Sequence, residues 1–207
     1  MAIRYTVQAA VVDLATDTPQ ATDVFLVDTN VWYWLTYSRA SQSVRPPLAY
    51  QTTRYPGYLN AALGVGAQLV YSGLSLAELT HVIEQVERDI YAATAGPIST
   101  KEYRHNLPQE RRQVCAEIQA AWGVVTSLAA PLPLLVDAQT ATAALTRLPT
   151  TLVDGYDLLL LESMQRQGVV QVLTDDGDFA TILGLQVFTA NRTVLQTARR
   201  QGRLLTR

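Results

Sequence analysis

Short apolar runs alternate with longer amphipathic stretches along this chain, the rhythm of strands feeding helices. Val24-Phe25-Leu26-Val27 is β-rich and is followed at once by Asp28-Thr29-Asn30, residues that open helices, so a buried strand running into a helix is predicted. A second strand is expected at 68–71. Ser75-Leu76-Ala77-Glu78 has the spacing of a capping box, opening a helix to about Tyr91, with Gly96-Pro97 ending it. Pro108 suits the first turn of a helix reaching about Leu128. Pro131 and Pro133 close that helix and lead into a strand at 134–136, with 138–148 helical after it. Residues 154–167 make the next helix, capped by Gly168. A buried strand at 169–174, a last strand at 185–189 and a basic helix over 192–203 complete the series. Residues 5–12 read as an edge strand. The polar, aromatic stretch 37–58, with Pro46, Pro47 and Pro56, reads as an inserted irregular loop.

Alternation of this kind implies an α/β fold, a central mainly parallel sheet with helices on both faces. The domain plan is an N-terminal extension (1–22), an α/β unit (23–191) and a basic C-terminal helix (192–207). Composition changes the picture little. With 207 residues, 48% hydrophobic and 16% charged, the chain can bury a core, and disorder is excluded. The single Cys115 excludes an intrachain disulfide and a Cys-rich zinc site. No apolar run reaches the length of a membrane span and no secretory pattern opens the chain, so a cytoplasmic protein without a membrane partner is expected. The net charge of -2 gives no overall attraction to nucleic acid, but Arg192, Arg199, Arg200, Arg203 and Arg207 crowd the end.

Candidate chemistry lies in acids at element junctions: Asp28, Glu78, Asp157 and the Asp175-Asp176 pair. Each alone is explained by a helix cap, a capping box, a helix dipole or a turn. Parallel sheets, however, form their sites beyond the carboxyl ends of strands, where Asp28 and Asp175-Asp176 fall. Carboxylates gathered at one edge repel one another unless a cation compensates, and oxygen-only ligands suit Mg²⁺ or Mn²⁺. Phosphodiester hydrolysis is the natural reaction of such a site. His81, one turn after Glu78, has no partner in a zinc spacing, and no nucleophile elbow or phosphate loop occurs.

Taken together, Phe25-Leu26-Val27-Asp28-Thr29-Asn30-Val31, Leu76-Ala77-Glu78-Leu79, Asp157-Leu158-Leu159-Leu160-Leu161 and Leu173-Thr174-Asp175-Asp176-Gly177-Asp178-Phe179 resemble a PIN-domain ribonuclease, including the VapC-type toxins. The resemblance spans about residues 24–190. It implies a three-layer α/β/α PIN-like fold and a Mg²⁺- or Mn²⁺-dependent endoribonuclease. Asp28, Glu78, Asp157 and Asp176 would be its catalytic acids, and Asp175 would share or replace Asp176 at the metal. Asp154, one turn before Asp157, would face the same site, and Thr29, Asn30 and Thr174 would orient carboxylates or water. The implied partners are an RNA substrate, an antitoxin or other protein, and further copies of the chain in a homodimer or higher oligomer. A toxin and a nuclease of RNA processing or defence both fit.

The 37–58 stretch interleaves Tyr37, Arg39, Arg45, Tyr50, Arg54, Tyr55 and Tyr58, a composition suited to stacking bases and pairing phosphates, or equally to packing on the domain. Arg39, Arg45, Arg54, Arg199 and Arg200 are the candidate RNA contacts. Arg199 and Arg200 also read as a solvated helix face. Trp32 and Trp34 are expected in packing. A catalytically silent nucleic-acid-binding or regulatory module is the alternative function, and a phosphotransferase using Asp28 is weakened by Asn at position 30.

Overall fold

The computed structural model describes residues 3–43 and 48–207, so Arg45, Pro46 and Pro47 lie outside the described residues. The elements follow in chain order: β1 (Ala10–Asp13), β2 (Val24–Val27), α1 (Thr29–Thr36), α2 (Ala40–Ser43), α3 (Gln51–Gly64), β3 (Gln68–Ser72), α4 (Leu74–Ala95), α5 (Thr100–Asn106) and α6 (Pro108–Leu128). After them come β4 (Ala130–Leu132), α7 (Ala138–Arg147), α8 (Gly155–Gln167), β5 (Gln171–Leu173), β6 (Gln186–Thr189), α9 (Arg192–Arg200) and β7 (Leu204–Leu205). The strands form one sheet in the order β4-β3-β2-β5-β6-β1-β7, with every pairing parallel. The fold is therefore the α/β class expected, with the sheet as the middle of three layers.

Side-chain alternation along the strands divides the core. Phe25 and Val27 join Leu69, Phe188 and the buried faces of α1, α3, α4 and α6 on one side. Leu26, with Val70, Val172 and Val187, joins Leu158, Leu160, Leu161 and Met164 of α8 on the other. Val11 is in register with Val187, so α9, whose Val194 and Ala198 pack with Val11, shares that second face. Trp32 and Tyr55 are fully buried in the first core, where Phe25 meets Phe188 edge-on with ring centroids 4.8 Å apart. Among the described residues no helix is long and apolar enough to cross a membrane.

Several expectations change, each for a local reason. Residues 51–64 are helix, not loop: Pro56 sits one turn in, so the bond it cannot make is to the first turn. The expected capping box at Ser75 is absent. Gly73 caps α4 without a side-chain bond, Ser75 is buried inside the helix, and the Ser72 hydroxyl accepts from the Leu74 amide at 3.1 Å. That helix also runs past Tyr91 to Ala95. A real capping box lies instead at Ser99 and Glu102, opening α5. The strand expected at 134–136 is displaced to Ala130–Leu132; as the sheet's outermost strand it tolerates Pro131, which cannot donate to a ladder. The N-terminal strand is not the edge. β1 lies between β6 and β7, and the basic helix stops at Arg200 so that Leu204 and Leu205 form the edge instead.

Candidate active site

The order β3-β2-β5 places a switch point where chain connections leave β2 in one direction and reach β5 from the other. A crevice opens beyond the carboxyl ends of such strands. Here it is a cavity of about 650 Å³, within the roughly 300–1,000 Å³ of small-ligand sites. Asp28 and Glu78 reach it from the starts of α1 and α4, Asp154 and Asp157 from the start of α8, and Asp176 from the turn after β5. Four segments far apart in sequence thus bring five carboxyl groups to one space.

The sequence builds this edge locally. Asp28 caps α1, accepting from the Thr29 amide at 2.6 Å, while its other oxygen accepts from Asn30 Nδ2 at 2.6 Å and Thr174 Oγ1 at 2.5 Å. Thr174 Oγ1 in turn accepts from the Asp176 amide at 2.8 Å, so one hydroxyl ties both strand ends together. Thr29 donates to Glu78, joining α1 to α4. Asp154 caps α8 through the Tyr156 and Asp157 amides, leaving Asp157 in the first turn with only a small exposed surface.

Such crowding disturbs the acids' titration. Burial pushes the Asp28 carboxyl up to about 7, with the charges of Glu78 and Asp176 adding and the Thr174 and Thr29 bonds opposing. Burial raises Asp157 to about 9, reinforced by Asp28, Asp154, Asp176 and Glu78. Glu78 is raised by burial and, against its Thr29 bond, by Asp154. Full ionisation of these acids is therefore unfavourable unless a cation compensates. Among the described residues no three His, Cys, Asp or Glu side chains converge into a ready-made metal site. The acids surround a space rather than a point. Their oxygen-only donor set and mutual repulsion nevertheless fit a hard divalent cation.

Not every expected residue reaches this space. Asp175 is turned to Tyr50, Gln51 and Tyr55, accepting from Gln51 Nε2 and the Tyr55 hydroxyl at 2.6 Å each, and it does not line the cavity. It anchors the turn to α3 while Asp176 faces inward. Arg39 is paired with the buried Glu87 at 2.9 Å. Arg54 is exposed beside a separate groove with Asp17 and Tyr58. Arg199 and Arg200 end a helix that runs back from the site end of the sheet, so they lie toward the amino ends of the strands. Arg192, which opens that helix, is the basic residue whose charge is felt by Tyr50 beside the acidic turn. Tyr33, Trp34, His81, Val82 and Tyr156 also line the cavity. Of these, only His81 has a signal in the acid spacing; Trp34, expected in packing, does pack against the first core and lines the cavity as well. No family model matches this chain, and comparison with curated proteins and with solved structures gives no match either.

Proposed function

We propose that this chain is a Mg²⁺- or Mn²⁺-dependent endoribonuclease of the PIN type. The observation that supports the reading is the gathering of Asp28, Glu78, Asp157 and Asp176 around one cavity at the switch point. These four carboxylates would hold the cation, with Asp154 at the margin and Asp175 outside. When bound, a divalent ion supplies neutralisation of phosphate charge and a more acidic water. The chain's own residues do the positioning. Thr174 and Asn30 fix the second oxygen of Asp28, the Thr29 hydroxyl holds Glu78, and the Asp154 cap holds the first turn that carries Asp157. Raised carboxyl pKa values mean that loading the site releases protons, so occupancy should strengthen as pH rises toward 9.

A cytoplasmic setting and an antitoxin or other protein partner belong to the same proposal. So does assembly as a homodimer or higher oligomer. Association is supported by exposed Leu135, Val136, Leu145 and Leu152 around α7.

The test is incubation of the pure protein with a panel of structured and single-stranded RNAs in Mn²⁺, Mg²⁺ or EDTA. Metal-dependent internal cleavage is expected, reduced at least about a hundredfold in Asp28→Asn, since even residues that only orient metal ligands are worth 10–100-fold. RNA binding without cleavage under all conditions would replace this reading with a binding or regulatory module.

A further inference from the structure

The cavity has two layers. On α1, Asn30 is followed at i+3 and i+4 by Tyr33 and Trp34; on α4, Glu78 is followed in the same spacing by His81 and Val82. Residues so spaced share a helix face, one turn or about 5.4 Å apart along the axis. Both helices therefore set an aromatic or apolar group one turn beyond a polar group at the acidic floor. Tyr156, in the first turn of α8 beside Asp157, adds a third aromatic ring and is 51% exposed.

These rings are braced by others. Tyr33 stacks on Tyr37 with centroids 5.2 Å apart and planes 28° apart. Trp34 lies against Tyr55, 5.2 Å away and tilted by 36°, and Tyr55 is itself fixed by hydrogen bonds to Asp175 and from the Ala190 amide. Trp34 is thus a rigid, partly exposed surface on the cavity, whereas Tyr33 lines it with only 7% of its surface exposed. A half-exposed Tyr156 contributes little to the core, and its place on the cavity wall lacks a folding explanation.

We propose that Trp34 and Tyr156, with the buried Tyr33 as part of the wall, form a subsite for an unpaired nucleobase, adjoining the acidic floor. This rests on the reading of the floor as a phosphodiester-cleaving site and names what sits beside the phosphate. A base stands off its phosphate by the width of a ribose, a distance comparable to the single helical turn that separates the two layers. Stacking on aromatic rings tolerates any base, because every base has a π-face. A base inside a duplex has both faces covered by its neighbours and is excluded. His81 sits at the same level as the rings and offers a ring nitrogen to a base edge.

The test is fluorescence anisotropy, in Mn²⁺, of a labelled, cleavage-resistant phosphorothioate single strand. It is compared with the same strand in a duplex and with an abasic version. Trp34→Ala and Tyr156→Ala are each expected to weaken single-strand binding about tenfold, within the range of one lost base stack. Trp34→Phe should restore most of it, and wild-type protein should bind the abasic strand and the duplex as poorly as the alanine variants bind the normal strand. Equal binding of normal and abasic strands would overturn the subsite, as would unchanged binding by Tyr156→Ala, whose exposed position leaves folding intact. Base-dependent binding with no metal-dependent cleavage of any RNA would keep the subsite and remove the nuclease. Metal-dependent cleavage with base-independent binding would do the reverse.

Discussion

Replacing Asp157 by Asn is expected to raise the melting temperature of the metal-free protein by about 5–10 °C at pH 8 while lowering RNA cleavage at least about a hundredfold. The two effects have one cause. Asp157 is almost buried among Asp28, Asp154, Asp176 and Glu78, and its carboxyl is pushed up to about 9 by burial and then by those charges. An acid whose folded pKa exceeds its unfolded value binds more protons when folded. Its favourable contribution is present in acid and is lost as pH rises through the folded value. Asp28, raised to about 7, acts in the same direction. Metal-free stability should therefore fall between about pH 4 and pH 9 as these two groups are forced to ionise. Asn keeps the shape without the charge. A gain of about 2–3 kcal/mol corresponds to the stated shift for a domain of this size, at 2–4 °C per kcal/mol. At pH 4 to 5, where the wild-type acid holds its proton, the gain should vanish. Scanning calorimetry across this range checks it. A variant less stable than wild type at pH 8 would mean that Asp157 is compensated within the chain.

Arg207→Ala should cost about 3–5 kcal/mol, because it leaves two buried carboxylates without their counter-ion. The guanidinium bridges Asp17 and Asp23 at 2.8 and 2.6 Å and lies 4.5 Å over the Phe188 ring. Both acids are nearly inaccessible. Burial alone would push the Asp23 carboxyl up; the Arg207 bonds, with those from Gln20 and Gln171, outweigh it and hold the group below its usual range. Here the linkage has the opposite sign to that of Asp157. The Asp23–Arg207 pair stabilises above the unfolded carboxyl pKa and fails as pH falls through the lowered folded value, so the loss in Arg207→Ala should be greatest at neutral pH and shrink in acid. Arg207→Lys keeps the charge but not the planar fork, and should recover only part of the loss. Urea denaturation at pH 7 measures both variants. A loss below about 1 kcal/mol for Arg207→Ala would show the two acids finding other partners.

The elements that set the site were legible because their signals are local. The run Val24–Val27 ending in Asp28, the Asp154 cap with Gly168 fourteen residues beyond it, and the turn after Leu173 each combine hydrophobicity with capping chemistry in a few residues. Parallel pairing follows from strand–helix alternation, which is why the sheet agreed with expectation. What was illegible depends on contacts distant in sequence. Tyr50 and Tyr55 looked like loop aromatics, yet α3 forms because Tyr55, Tyr58 and Leu59 find the core, 0–5% exposed, and Pro56 is tolerated near its start. The resemblance favoured Asp176 but left Asp175 able to share or replace it. The hydroxyls and amide of α3, more than 100 residues earlier, decide which one leaves the cavity. Ser75 matched a capping box by spacing but is buried within a turn that begins at Leu74, whereas Ser99, which does form the box, stands before a helix too polar to announce itself. The role of Arg207 depends on residues nearly 190 positions away.

Binding of a divalent cation is the role proposed for the carboxylates around the switch-point cavity. Isothermal titration of Mn²⁺ into the pure protein at pH 8 tests it most directly, with Asp28→Asn and Asp157→Asn alongside. Saturable binding by the wild type is expected, with net proton release seen as a dependence of the heat on the buffer's ionisation enthalpy. Each variant should lose at least about tenfold in affinity. No saturable binding by the wild type, or equal affinity in all three proteins, would contradict it.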